Sequence, residues 1–162
     1  MCSQNESVMN IFYLDCSPRT CARYHCDKHV VKMILETAQL LCGAHWATGG
    51  TAQYKPTHLN HPCAIWVRKS LSNYKWLCEL GFNLCLEYTR RYGKRHKSMD
   101  VIIWCSDNHP NIEDIGKTKV PLAMPDECKV GNEPILSYRN FYMKEKRDFC
   151  SWKNMTQPYW FK

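Results

Sequence analysis

Apolar residues recur at helical spacing through most of the chain, and no stretch alternates in the manner of a strand. Ser17-Pro18 is a start signal, a capping residue with proline at the first helical position. The pattern it opens predicts one long helix to about Trp46. Gly49-Gly50 then begins a loop that lasts through Asn60. Asn60-His61-Pro62 starts a second helical stretch that runs to Tyr92, with a break near Ser70–Ser72 and a stop at Gly93. A shorter amphipathic helix is predicted over Ser98–Cys105, and a last one from Pro134 to about Cys150. Residues 107–133 hold Pro110, Pro121 and Pro125 among mixed polar positions. An irregular connection of that length is uncommon and often functional. The pattern predicts an all-α domain over residues 9–162, a compact bundle of about four to five helices with a long irregular loop and an aromatic C-terminal tail. Residues 1–8 read as a polar N-terminal extension.

Composition narrows the class. With 162 residues the chain fits one domain. Its 44% hydrophobic and 23% charged content excludes a disordered or fibrous chain. No apolar run reaches the roughly 18 residues a membrane span needs, and the polar start lacks the apolar core of a secretory signal. The 11 cysteines are odd in number and contain no C-x-x-C pair, which argues against both a disulfide framework and a zinc ribbon. Cys42, Cys78 and Cys85 sit inside apolar helical patterns, where a free thiol behaves as a small hydrophobe. The expectation is free thiols in a reducing cytoplasm.

A net charge of +7 suits a nucleic-acid or phosphate partner. Arg90, Arg91, Lys94, Arg95 and Lys97, with His96, occupy a stretch that has no acidic residue. That stretch reads as a phosphate-binding patch, or as a helix end whose cations favour the C-terminal dipole. Trp152 and Trp160, interleaved with basic residues of the last helix and tail, either stack on bases or pack back onto the core.

The first long helix carries the strongest functional pattern. His25, Lys28, His29, Lys32, Glu36 and Gln39 fall on one stripe about 100° wide. Much of the remaining circumference is apolar, which predicts a helix enclosed by neighbours with its polar stripe facing a cleft. The alternative is an ordinary solvated face with Lys32–Glu36 as an i,i+4 pair. Glu36, flanked by Leu35 and Leu40, is the candidate catalytic carboxylate, because partial desolvation raises a carboxyl toward the range useful for proton transfer. Lys32 and Lys28 are candidate amine nucleophiles, and His25, His29, Gln39 and His61 candidate nucleic-acid contacts.

His25 and His29 at i,i+4, with His58 and His61 nearby, open a second possibility: a metal-dependent enzyme acting on nucleotides or nucleic acid. The first pair lacks the glutamate of a zincin motif, and Lys28 and Lys32 repel a cation, so no metal is expected. A third possibility is a non-catalytic module that binds nucleic acid or a phosphorylated ligand. Gly116-Lys117-Thr118 lacks the upstream glycine and strand of a P-loop.

Three strings resemble a known group: Asn10-Ile-Phe-Tyr-Leu-Asp15, Tyr24-His-Cys-Asp-Lys-His-Val-Val-Lys-Met-Ile-Leu-Glu-Thr-Ala-Gln-Leu-Leu41, and Asn60-His-Pro-Cys-Ala-Ile-Trp66. They look like phage and viral proteins labelled pyrimidine dimer DNA glycosylases, themselves similar to repair enzymes of the phage endonuclease V type. The resemblance implies an all-α repair enzyme acting on double-stranded DNA with damaged pyrimidines; no cofactor and a monomer are expected. Such an enzyme attacks the sugar C1′ with an amine and cleaves the backbone as an AP lyase through an imine. On this mapping His29 contacts DNA and Glu36 is the catalytic carboxylate. The repair enzymes use a processed N-terminal amine, whereas here eight residues precede Met9; Leu35 and Gln39 also stand where they carry basic residues.

Overall fold

The computed structural model describes residues 9–162; the expected extension over residues 1–8 lies outside them. Six α-helices follow one another: α1 (Pro18–Tyr24), α2 (Asp27–Ala47), α3 (Pro62–Lys69), α4 (Leu71–Tyr92), α5 (Met99–Asp107) and α6 (Pro134–Glu145). A 3₁₀ turn covers Asp126–Cys128. No strand occurs among the described residues. The all-α expectation holds, with one or two more helices than anticipated.

The extra helix arises because the first long segment is two. His25 and Cys26 take extended backbone (ψ 130° and 163°) between α1 and α2. Distant groups stabilise this corner. The Arg91 guanidinium donates to the carbonyls of Arg23 and His25 at 3.0 and 2.8 Å, which satisfies acceptors that α1 leaves open at its end. Asp27 N–H donates to Ser151 O at 2.8 Å. Helical periodicity runs straight through such a break. α6 likewise stops at Glu145, several residues short of Cys150.

Other boundaries follow local chemistry. Pro18, Pro62 and Pro134 open α1, α3 and α6, since proline supplies a helical φ and lacks an N–H that would go unpaired there. Ser70, extended at φ −151°, separates α3 from α4. Gly93 ends α4 in the left-handed conformation at φ 70°, which favours glycine.

α4 is the central element and packs on α1, α2, α3 and α5. Gly81 lets three helices converge: a Cβ there would meet Thr37 Cγ2 of α2 at 2.9 Å and Ile102 of α5 at 3.1 Å. The N-terminal segment Met9–Leu14 is buried between α2 and α6, with Phe12 touching the rings of His29, Tyr138, Phe141 and Tyr142. The tail folds back. Trp152 Nε1 donates to Tyr24 O at 2.9 Å, and Trp160 packs on Tyr24 and Tyr142. No helix among the described residues is long and apolar enough to cross a membrane.

Candidate active site

A cleft of about 740 Å³ opens where the N-terminal segment, α2, the start of α3, loop residues 122–125 and α6 meet. α2 contributes His29, Lys32 and Glu36, spaced so that successive turns bring them to one face. Met9, Asn10 and Phe12 line one side, and His61 and Pro62 another. Leu122 to Pro125 of the long connection close a third, and Phe141, Glu145, Lys146 and Phe149 complete the wall.

Glu36 is the unusual group. It is only 8% exposed, and its Oε2 has no hydrogen-bond partner. Lys32 Nζ stands 3.8 Å away, beyond hydrogen-bond length. Burial pushes the carboxyl up to about 6, against the opposing pull of Lys32 and of the Asn10 backbone N–H. A buried carboxyl left without a full set of donors is positioned to take and return a proton near neutral pH.

Asn10 is held firmly beside it. Its Nδ2 donates to Ala123 O at 3.1 Å, and its Oδ1 accepts from Ile11 N–H at 2.7 Å. The Tyr138 hydroxyl, 3.3 Å from the same Oδ1, donates to Pro121 O at 2.6 Å and thereby braces the loop wall. The backbone of residue 10 is thus fixed against Glu36. Sequence reasoning missed Asn10; the only signal was its place at the head of a short apolar run.

His29 forms part of the cleft floor. It stacks on Phe12 with ring centroids 4.2 Å apart, and its Nδ1 lies 2.7 Å from the buried Tyr142 hydroxyl. His61 caps α3, its Nδ1 accepting from Cys63 N–H at 3.1 Å. Burial and the neighbouring His58 hold its pKa below the ordinary histidine range.

Other expected site residues lie elsewhere. His25 is not on the α2 stripe. It ends α1, is fully buried, and donates from Nδ1 to Cys21 O at 2.7 Å. Burial lowers its pKa to about 3, so the ring is neutral. Lys28 is exposed, 5.0 Å over the Phe149 ring, and Gln39 is half-buried; neither lines the cleft. The apolar part of α2 is not wholly enclosed as expected: Val31 and Leu35 are 40% and 41% exposed.

The basic segment divides in two. Arg91 is buried, its side chain clamped by Asp27 at 3.0 Å, Glu87 at 3.0 Å and the two α1 carbonyls, so it holds the fold and offers no donor to a phosphate. Arg90 pairs with Glu87 at 2.7 Å, and Arg95 with Asp100 at 2.7 Å. Lys94 and Lys97 are exposed. Trp152 and Trp160 are 8% and 7% exposed, so they fill the core instead of offering a stacking face; Tyr159 is the exposed tail aromatic, 73% accessible beside Arg139. Lys117 of the P-loop echo lies over the rings of Tyr13 and Trp76 and donates to the Tyr13 hydroxyl.

His25, His29, His58 and His61 do not assemble. His25 is in the core and His58 is exposed. No group of three or more His, Cys, Asp or Glu among the described residues could hold a metal ion.

A family model described as pyrimidine dimer DNA glycosylase matches residues 9–100, more than half of the 162-residue chain. No curated protein and no solved structure matches the chain. The matched span holds Asn10, His29, Lys32, Glu36 and His61, and ends before α6, the loop wall and the tail.

Proposed function

The chain belongs to the pyrimidine dimer DNA glycosylase family, and from that premise we propose that the α2 cleft excises damaged pyrimidines from double-stranded DNA and cleaves the abasic product as an AP lyase. The observation that carries this reading is a desolvated carboxyl, Glu36, with an amine 3.8 Å away in a cleft walled by aromatic rings. An amine bonds to the sugar C1′ as the N-glycosidic bond breaks, and the departing base takes up a proton. The ring oxygen leaves C1′ to form an imine. Loss of a proton from C2′ then breaks the C3′–O bond and releases the 3′ phosphate. Glu36 takes the proton from the attacking amine and relays it, which suits a carboxyl poised near 6.

Lys32 is the proposed nucleophile. It lines the cleft and reaches toward Glu36, whereas Lys28, over the Phe149 ring, does not line it. A specific observation favours a second amine. The backbone nitrogen of residue 10 is the group that hydrogen-bonds Glu36, and cleavage of the chain before Asn10 would convert that amide into an amine at the same place. His29 and the exposed Lys94 and Lys97 are the proposed DNA contacts, the lysines acting on phosphates.

Borohydride trapping in EDTA, on duplex DNA carrying one thymine dimer, tests both amines. A covalent adduct is expected, and mass mapping places it on Lys32 or on residue 10. Intact dimer DNA with no adduct would overturn the reading and leave a binding module. Activity lost to EDTA and restored by a divalent metal would favour metal-dependent chemistry instead.

A further inference from the structure

The ten described cysteines are all free, yet two pairs touch. Cys42 of α2 and Cys105 of α5 share a side-chain hydrogen bond in the core, and both are fully buried. Cys26, which caps α2, shares one with Cys150, just beyond α6. The second pair differs in access and in charge. Cys150 is half-buried; its bond to Cys26 and its burial hold the thiol protonated, against the weaker opposing pull of the Lys146 and Arg147 cations. Cys26 sits at the N-terminus of a 21-residue helix with the His29 side chain hydrogen-bonded to it, an arrangement that stabilises a thiolate against the effect of burial.

The chain on either side of these sulfurs is already fastened. Asp27 N–H donates to Ser151 O at 2.8 Å, and the Asp27 carboxylate accepts from Ser151 Oγ at 3.1 Å and Lys153 N–H at 3.0 Å. Two thiols in contact, between segments that are docked in register, need little backbone movement to join.

We propose that Cys26 and Cys150 are a redox modification site that closes to a disulfide with a low-molecular-weight disulfide such as oxidised glutathione, stapling the tail to α2 at the edge of the cleft. Cys150, the accessible sulfur, loses its proton as it attacks one glutathione sulfur, that S–S bond breaks, and one glutathione thiolate leaves and takes up the proton. The Cys26 thiolate then attacks the Cys150 sulfur and expels the second glutathione in the same way. The protein thiols give up two electrons and two protons, and one glutathione disulfide becomes two thiols. The buried Cys42–Cys105 pair has no such access and stays reduced.

The test uses the reduced full chain, incubated with oxidised glutathione, alkylated with iodoacetamide and mapped by mass spectrometry without reductant. A peptide joining Cys26 to Cys150 is expected, with Cys42 and Cys105 still alkylated after denaturation. C150S should remove the link and leave Cys26 alkylatable. Glutathione retained on Cys150 with Cys26 free, a bridge from Cys150 to another cysteine, or both thiols free after prolonged exposure would overturn the proposal. The wild-type map decides the matter even if the variant folds poorly, and it needs no DNA substrate.

Discussion

Two buried ionic sites lie on the flanks of α2, and they are built in opposite ways. At the α1–α2 corner, Arg91 is fully buried and surrounded by two carboxylates and two carbonyls. Asp27, its partner, also receives Ser151 and Lys153. Every group in that clamp has a complement. About two and a half turns along α2, Glu36 is almost as buried, but one oxygen has no hydrogen-bond partner and Lys32, 3.8 Å away, is beyond hydrogen-bond reach. A satisfied ion cluster holds elements in place, whereas an under-satisfied carboxyl raises the energy of its charged form and becomes available for proton transfer. Burial alone does not distinguish the two carboxyl environments; hydrogen-bond satisfaction does.

The sharpest way to break the comparison is at Glu36. E36Q keeps size and shape while removing the ionisable oxygen. Glycosylase turnover should fall by roughly 100- to 10,000-fold while far-UV circular dichroism is unchanged. Retained turnover would mean Glu36 is a structural carboxyl like Asp27.

Arg91 should behave in the reverse sense. R91A removes the buried guanidinium shared by two carboxylates and two carbonyls, which costs about 3–5 kcal/mol and lowers Tm by roughly 10 °C. Turnover measured well below that Tm should change little. A stable R91A with weakened DNA binding would return Arg91 to the nucleic-acid surface.

Stability against pH distinguishes the two sites further. The Glu36 carboxyl stands near 6 when folded and 4.5 when unfolded. Below 4.5 both states are protonated and the residue is neutral toward stability. Between 4.5 and about 6 the folded chain holds a proton that the unfolded chain has lost, so stability falls as pH rises and levels off above 6. E36Q should therefore be more stable than wild type by about 1–2 kcal/mol at pH 8, with the gain gone at pH 4. Denaturant melts at the two pH values measure it.

The smallest effects belong to the exposed cations. K94A and K97A should each weaken DNA binding a few-fold and reduce the slope of log K against log salt by about 1. R90A, whose guanidinium is engaged by Glu87, should change that slope less. Equal effects at all three positions would show that Glu87 releases Arg90 on binding.

Legibility in the sequence followed the range of the interactions. Helices opened by Pro18, Pro62 and Pro134 and the one closed by Gly93 were readable because their signals sit within a turn of the boundary. The break at His25–Cys26 was not, since the groups that stabilise it come from α4 and the tail. That single error carried His25 onto the α2 stripe. The desolvation of Glu36 was anticipated from its apolar flanks, although one of them, Leu35, proved exposed. Trp152 and Trp160 were ambiguous because composition gives a buried and a stacking indole the same signature.

By itself the amino-acid order determined an all-helical chain, most helix boundaries, free thiols within apolar faces and a helix bearing His29, Lys32 and Glu36 on one side. These depend on contacts within a few residues, where spacing and propensity decide the outcome. Only the tertiary structure decided which charges are neutralised: that Arg91 is enclosed by its complements, that Asn10 is pinned against Glu36, and that one Glu36 oxygen lacks a donor. Desolvation and ion pairing depend on everything within several ångströms, and for these groups those neighbours come from segments tens of residues away along the chain.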